Sequence, residues 1–264
     1  MKAYFALFLL SFFLTAYGQD YAADQIENSP RHHEWVQLKS NGRDLHCFIA
    51  YPEVSEKATT VIVIHENRGL NNWARSMTDQ LAEAGYLAIA PDLLSGANEK
   101  YEKTMDFPSS DAARKAIYSL NQEQVTEDLN AVFEYANSIK SGNGKVAVMG
   151  FCWGGSQTFK YATNNPNIEA AMVFYGTAPG ELELLKNIES PVYGFYGGND
   201  ARVNATIEST DSAMQIYGKN YEYEIYDGAG HAFMRRGDDP AGDPPNVDAR
   251  NAAWKRLRKI LDKL

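Results

Sequence analysis

A tight turn between a predicted strand and a predicted helix, at residues 145–156 (KVAVMGFCWGGS), restricts the fold of this chain more than any other feature. Residues 146–149 are apolar, as in a strand covered on both faces, and helix-forming polar residues begin at Ser156. Cys152 stands between them, with glycines on both sides. Glycine tolerates the close backbone approach and unusual angles of so sharp a turn. We therefore predict that the turn presents the Cys152 thiol to a pocket.

Alternating strands and helices surround this turn and predict the architecture. A hairpin at residues 34–50, with Asn41-Gly42 at its turn, indicates an antiparallel start. Further strands are predicted at residues 59–64, 86–90, 146–149, 170–175, 191–196 and 221–226. Helices are predicted at residues 72–85, 111–120, 125–139, 180–187 and 203–217, and a closing helix includes residues 247–264. We therefore expect an α/β fold with a mostly parallel central sheet and helices on both faces.

Two segments depart from this plain alternation. Residues 95–110 are polar and rich in turn residues and show no clear period, so we expect a surface excursion near the site. In the strand at residues 221–226, two glutamates alternate with aromatic and aliphatic residues, which indicates a position near an edge of the sheet.

Four reactive side chains follow predicted strands directly. Glu66, Cys152, Asp200 and His231 each lie in the loop after a strand. Ligands of parallel sheets bind beyond the carboxyl ends of the strands, where such loops meet. We therefore expect these four side chains to converge on one edge of the sheet.

Cys152, His231 and Asp200 have the residue types and chain order of a nucleophilic site. A thiolate attacks a carbonyl, so His231 must accept the thiol proton and Asp200 must fix the imidazole tautomer. The helix after Cys152 adds a positive dipole end that favours the thiolate. Taken singly, an aspartate after a strand is often a helix cap and a histidine often structural, and the combination is what favours catalysis. The backbone N–H groups of Asn67 and Trp153 are the natural oxyanion donors.

The serine form of this turn, G-x-S-x-G, is the nucleophile elbow of α/β-hydrolases, whose chain order is nucleophile, acid, histidine. The motifs GFCWGG, HENRGL, YLAIAPDLL, GGND and GAGHAF together resemble the dienelactone hydrolase family, from about residue 59 to the end of the chain. The resemblance implies hydrolysis of an ester or lactone through a thioester, with dienelactone as the family's name substrate.

The resemblance also implies roles for two further residues. Glu66 would hold the thiol in a resting pose until substrate releases it toward the histidine; the alternative is a solvated or ion-paired loop carboxylate. Arg235, four residues after His231, matches one of the arginines that hold the substrate carboxylate. The chain departs from the family's pattern in two respects: residues 95–110 offer no clear arginine counterpart, and the first residues have the pattern of a secretion signal.

The first 18 residues have the pattern of a signal peptide. Lys2 precedes an apolar run at residues 3–14, and Ala16-Tyr17-Gly18 ends it, so we predict cleavage after Gly18 and a secreted or periplasmic protein. A membrane anchor is the alternative, but the run is shorter than the ~20 residues that span a bilayer, and we expect no stable membrane association after cleavage. We expect residues 19–264 to form a single domain.

Charge and cysteine content limit the ligands. A formal net charge of −9 without a cluster of basic residues argues against a nucleic-acid partner, so we expect a small molecule. The second cysteine, Cys47, lies in an alternating strand and is expected to be a buried apolar residue; a disulfide with Cys152 is the alternative. No histidine or cysteine pair has metal-ligand spacing and no dinucleotide fingerprint follows the first buried strand, so we expect neither metal nor cofactor.

The leading functional hypothesis is therefore a hydrolase that cleaves a small, dienelactone-like ester or lactone through Cys152, His231 and Asp200. A peptidase or acyltransferase on the same fold is a second hypothesis. A binding protein that kept the scaffold without turnover is a third. The sequence gives no indication of the oligomeric state.

Overall fold

The structure is a computed structural model that describes residues 20–97 and 100–264; the predicted signal peptide lies outside the described residues. The strands are β1 His33–Ser40, β2 Arg43–Ala50, β3 Ala58–Ile64, β4 Leu87–Pro91, β5 Gly142–Phe151, β6 Ala171–Phe174, β7 Val192–Gly197 and β8 Tyr221–Tyr226. The α-helices are α1 Tyr21–Glu27, α2 Asn72–Glu83, α3 Ser110–Tyr118, α4 Gln122–Ser138, α5 Trp153–Ala162, α6 Ala201–Asn204, α7 Ile207–Ile216, α8 Phe233–Arg236 and α9 Pro244–Leu261. Two 3₁₀ helices lie at Thr104–Asp106 and Leu182–Asn187.

The strands form one eight-stranded sheet in the order β1-β2-β4-β3-β5-β6-β7-β8. β2 pairs antiparallel with both β1 and β4, and every pair from β4 to β8 is parallel. Asn41 and Gly42 both have positive φ (45° and 83°), the conformation that a two-residue hairpin turn needs. The prediction of a mostly parallel sheet with an antiparallel N-terminal hairpin is confirmed, and β8 lies at an edge as expected.

Helices cover both faces of the sheet, as predicted. Val61 and Val63 of β3 belong to a core packed under α2 and α9. Their neighbours Ile62 and Ile64 belong to a second core under α3, α4, α5 and α7. Because successive side chains of a strand point to opposite faces, a strand covered on both faces needs an unbroken apolar run, which β3 has.

Several predicted boundaries are wrong. The helix expected at residues 203–217 is two helices, α6 and α7, and the one expected at residues 180–187 is the 3₁₀ helix Leu182–Asn187. α5 begins at Trp153 rather than Ser156, so the glycines after Cys152 lie in its first turn. α1 was not predicted. Within the described ranges, no helix is both long and apolar enough to cross a membrane.

The excursion at residues 95–110 is held against the loop after β3, apart from residues 98–99, which are not described. Thr104 donates its backbone N–H and its hydroxyl to the buried Asp92 carboxylate, at 2.7 and 2.6 Å. The same hydroxyl accepts the Leu70 N–H at 3.0 Å. A buried carboxylate after β4 thus ties the excursion to the loop that carries Glu66.

Candidate active site

The carboxyl ends of four parallel strands bring the predicted site residues to one edge of the sheet. Glu66 follows β3, Cys152 follows β5, Asp200 caps α6 after β7, and His231 lies in the loop after β8. The central strands β3 and β5 are direct neighbours in the sheet, so the loop with Glu66 faces the turn with Cys152.

The turn at Cys152 has a strained backbone that its neighbours hold in place. Cys152 has φ 55° and ψ −114°, a conformation that costs a side-chain-bearing residue about 1–3 kcal/mol. A Cβ atom on Gly154 would collide with the carbonyl oxygens of Ile64 and His65. Glycine at position 154 therefore lets the start of α5 pack directly against the end of β3, and the strained turn projects the sulfur outward.

Cys152, His231 and Asp200 form a continuous hydrogen-bonded line. The Cys152 Sγ lies 3.1 Å from His231 Nε2, and His231 Nδ1 lies 2.5 Å from Asp200 Oδ2. The other Asp200 oxygen accepts the Val203 N–H at 3.4 Å, which fixes the carboxylate. Since a carboxylate only accepts, Nδ1 carries the proton and Nε2 is free to accept from the thiol.

The electrostatics keep the resting sulfur protonated. Burial, and next the negative charge of Glu66, raise the pKa of Cys152 to about 11, against the opposing effects of the Trp153 N–H, which donates to the sulfur, and of Arg202. Burial and Glu66 therefore outweigh the helix dipole, which by itself favours the thiolate. Reaction of this sulfur as a thiolate would require removal of its proton, and His231 Nε2 lies within hydrogen-bonding distance to accept it.

Glu66 is engaged with two other residues. Its carboxylate accepts Arg235 Nε at 2.8 Å and the Tyr175 hydroxyl at 3.4 Å. Burial and Glu66 raise the pKa of Tyr175 well above its usual value, so this hydroxyl keeps its proton and donates. In this structure the Cys152 sulfur contacts His231, whereas Glu66 contacts Arg235 and Tyr175. The resting pose that the resemblance implies, with Glu66 holding the thiol, is therefore not the arrangement seen here.

The two predicted oxyanion donors are the backbone N–H groups of Trp153 and Asn67. Trp153 opens α5 directly after the nucleophile position, and its N–H points at the sulfur. The Asn67 side chain donates to the Tyr118 hydroxyl at 3.0 Å. In the described part of the chain the Asn67 N–H makes no hydrogen bond.

Two cavities adjoin the loop after β3. The larger, of about 670 Å³, is lined by Arg68, Arg235 and Arg236, among others. The smaller, of about 470 Å³, is lined by Asn67, Ser119, Tyr118 and the cations Arg114 and Lys115 of α3. Cys152 and His231 line neither cavity, and both cavities reach the site through residues of the loop after β3.

Sequence reasoning missed the cations of α3. It sought a basic counterpart at residues 95–110, whereas Arg114 lies on the next helix, one turn before Tyr118. Residues four apart share a helix face, so the contact between Tyr118 and Asn67 explains why Arg114 faces the same loop. That spacing was a usable signal, but the sequence does not say which face of α3 meets the loop.

Cys47 and Cys152 are both free, and Cys47 is fully buried, so the disulfide alternative is wrong. In the ranges that the structure describes, no group of three histidine, cysteine, aspartate or glutamate side chains is arranged to hold a metal ion.

The substitution Glu66→Gln is expected to lower the pH at which Cys152 is alkylated. Removing the carboxylate charge relieves the thiolate of a like charge, so the thiol pKa falls. The measurement is the rate of iodoacetamide labelling of Cys152 against pH, followed by peptide mass spectrometry. Cys47 should label far more slowly throughout, because it is buried and burial raises its pKa further.

Glu83→Gln is the matched control, because Glu83 is exposed and ends α2 at the opposite edge of the sheet. It should leave the labelling profile unchanged. An unchanged or raised midpoint in Glu66→Gln would show that this carboxylate does not act on the sulfur.

Comparison with known proteins places these features in a family. Residues 45–264 match the Dienelactone hydrolase family. The chain belongs to the dienelactone hydrolase family. It is 32% identical over 253 residues to a "Putative carboxymethylenebutenolidase" of Saccharolobus solfataricus, covering 84% of this chain and 95% of that protein. A protein of the same name from Salmonella typhimurium is 31% identical over 209 residues, covering 75% of this chain and 76% of that protein.

A solved structure agrees with this assignment. The "Putative Dienelactone Hydrolase" of Klebsiella pneumoniae superposes with a TM-score of 0.77 at 26% identity, covering 89% of this chain and 99% of that one. This dienelactone hydrolase family member is thus an α/β-hydrolase and an enzyme of the hydrolase class, as the sequence predicted.

Proposed function

We propose that this dienelactone hydrolase family member cleaves a small, carboxylate-bearing ester or lactone through a thioester on Cys152. The observation that carries the proposal is the line of hydrogen bonds from the Cys152 sulfur through His231 to Asp200. A nucleophile, a base and a group that orients the base are the parts that acyl transfer requires.

In the first half-reaction the sulfur attacks the substrate carbonyl carbon while its proton moves to His231 Nε2. The cation that forms on the imidazole is stabilised by Asp200, which is 6% exposed. The negative charge on the former carbonyl oxygen is met by the N–H groups of Asn67 and Trp153. Collapse of this intermediate breaks the carbon–oxygen bond, and His231 returns the proton to the leaving alkoxide, which leaves an acyl thioester.

In the second half-reaction water takes the place of the leaving group. His231 Nε2 removes a water proton as the oxygen attacks the thioester carbonyl, and the same N–H groups hold the oxyanion. The carbon–sulfur bond then breaks, the sulfur regains the proton, and the acid product leaves. For a lactone, the alcohol and the acid are two ends of one product.

The surrounding charge favours an anionic substrate. Arg235 is ion-paired to Glu66 yet 30% exposed at its side chain, and it lines the larger cavity. Arg114 and Lys115 line the smaller cavity beside Asn67. The chain has a net charge of −9, which would repel an anionic substrate. The cations beside the site offset this repulsion locally and offer hydrogen-bond donors to a substrate carboxylate.

The place of action is also a proposal. If the signal at residues 1–18 is cleaved after Gly18, the enzyme acts outside the cytoplasm, as a secreted or periplasmic protein. Edman sequencing of the protein isolated from the cell-free and the cellular fractions of a culture tests this. We expect the exported protein to begin at Gln19, and a chain that keeps residues 1–18 would contradict the proposal.

A substrate panel tests the proposed reaction. The purified protein is assayed on dienelactone, on p-nitrophenyl acetate, on mono-p-nitrophenyl succinate and on a peptide p-nitroanilide. We expect the lactone and the anionic ester to be preferred, and Arg114→Gln to raise KM for the anionic ester about tenfold while kcat and the neutral ester change little. Arg258→Gln, an exposed residue of α9, is the matched control.

Other outcomes of the panel would select the alternatives. Preference for the peptide anilide over every ester would favour a peptidase on this fold. Transfer of the acyl group to an added amine or alcohol, in preference to water, would favour an acyltransferase. Saturable binding of the lactone without product would favour a binding protein.

A further inference from the structure

The imidazole of His65, which the proposed reaction does not use, is fully buried next to the site. His65 Nδ1 lies 2.8 Å from the Glu66 carbonyl oxygen, and His65 Nε2 accepts the Leu93 N–H at 3.3 Å. The ring stacks on the Trp153 indole at 5.6 Å between centroids and 13° between planes. One side chain therefore contacts the loops after β3 and β4 and the first residue of α5.

The hydrogen bonds fix the protonation of this ring. A backbone N–H can only donate, so Nε2 must carry a lone pair, and Nδ1 must carry the proton that goes to the Glu66 carbonyl. Burial lowers the pKa of His65, and this outweighs the opposing effect of the nearby Asp92. A neutral ring with one donor and one acceptor satisfies both backbone partners.

We propose that His65 is a positioning residue that sets the distance between the two oxyanion donors, an inference that rests on the proposed acyl transfer. The Asn67 N–H belongs to the same peptide group as the Glu66 carbonyl that His65 holds, and Trp153 is the residue on which the His65 ring stacks. The Asn67 N–H lies in the loop after β3 and the Trp153 N–H lies at the start of α5, and His65 is in contact with both segments.

The far end of the same loop has a separate anchor. The Leu70 N–H donates to Thr104, whose hydroxyl donates in turn to the buried Asp92. Residues 66–69 therefore lie between two buried polar contacts, His65 at one end and Thr104 at the other. Such double support holds the Asn67 N–H in place before substrate arrives, which is the condition for an oxyanion hole to accelerate a reaction.

The His65 ring has two separable roles, packing against Trp153 and hydrogen bonding to the backbone at Glu66 and Leu93. Substitutions that keep one role and remove the other distinguish them. His65→Phe keeps the aromatic stack on Trp153 and removes both hydrogen bonds. His65→Asn keeps a donor near the position of Nδ1 and removes the acceptor for Leu93. His65→Gln keeps a polar atom near the position of Nε2 and therefore keeps that acceptor.

The experiment compares two reactions of the same sulfur. Hydrolysis of p-nitrophenyl acetate passes through an oxyanion, whereas alkylation of Cys152 by iodoacetamide does not. For His65→Phe and His65→Gln, which lose the donor to the Glu66 carbonyl, we expect kcat to fall about tenfold or more with KM within about twofold, because loss of one oxyanion donor costs about 10²–10³ and displacement costs part of that. The alkylation rate should stay within about twofold, and His65→Asn, which keeps that donor, should recover part of kcat.

A fall in alkylation as large as the fall in turnover would overturn the inference, because the whole site would then have been disturbed. Unchanged turnover in His65→Gln would overturn it too, and comparison of this variant with His65→Asn decides the matter if His65→Phe does not fold. Cys152→Ala, assayed alongside, separates the two proposals: ester hydrolysis that survives it removes the proposed function, whatever His65 does.

Discussion

Cys152→Ala is expected to lower kcat/KM for p-nitrophenyl acetate and for dienelactone by about 10⁴-fold or more. The sulfur is the atom that the turn after β5 projects toward His231 Nε2, and alanine leaves nothing there to attack the carbonyl. The oxyanion donors and the cations remain, so the variant should keep substrate affinity and a small residual rate. Steady-state kinetics measure the residual rate. Calorimetry with the reaction product measures whether the binding site keeps its affinity.

Cys47→Ala is the matched control for this prediction. It also removes one thiol, from a fully buried position in β2. We expect it to reduce stability by about 1–2 kcal/mol through the lost packing while leaving kcat/KM within about twofold. Equal losses in the two variants would show that general destabilisation, and not the nucleophile, lowers the rate.

Asp200→Asn is expected to lower kcat/KM by about 10³–10⁴-fold with little change in fold. The Val203 N–H donates to Asp200 Oδ1, so the asparagine oxygen stays on that side and its NH₂ group faces His231. His231 Nδ1 must then accept, which moves the ring proton to Nε2, where it points at the thiol. The histidine can no longer take the sulfur's proton. The corresponding aspartate-to-asparagine change in a serine protease lowers kcat by about 10⁴-fold for the same reason, a wrong histidine tautomer.

Asp248→Asn, an exposed position on α9, is the matched control and should be silent. The pH dependence supplies the second readout for Asp200→Asn. Activity should recover as pH rises, since hydroxide removes the proton that the histidine cannot accept. A loss below tenfold would mean that the carboxylate does not orient the imidazole.

The sequence predicted the architecture because each element carried its own signal. The apolar run of β3 required cover on both faces, and Asn41-Gly42 specified the hairpin turn. The loops with Cys152, Asp200 and His231 were predicted to meet because parallel strands end at one edge, and in the structure their side chains are in contact. Their catalytic roles stay a prediction.

The sequence did not predict the hydrogen-bond partners of the site side chains, because those partners are distant along the chain. Arg235 was predicted to hold the substrate, yet its Nε is bonded to Glu66, 169 positions earlier. The thiolate expected at Cys152 follows from the helix dipole alone, whereas burial and a neighbouring carboxylate have the larger effect. Neither burial nor the rotamer of Glu66 can be deduced from spacing.

Short irregular segments were missed for a related reason. The turn between α6 and α7 falls at Ala205-Thr206, in a stretch that also contains Asn204, and the weak helix propensity of asparagine and threonine is compatible with a break there. The excursion at residues 95–110 has no period, since its conformation depends on a hydrogen bond from Thr104 to the buried Asp92. α3 was predicted, but the face of it that meets Asn67 was not.

The central claim is that the Cys152 sulfur carries the acyl group during turnover. The direct measurement is rapid acid quenching of the protein with p-nitrophenyl acetate, followed by mass spectrometry of its peptides. We predict one acetyl group per chain, on the peptide that contains Cys152, released by hydroxylamine as a thioester is. Turnover without any acyl group on that peptide, or with the acyl group on another residue, would contradict the account.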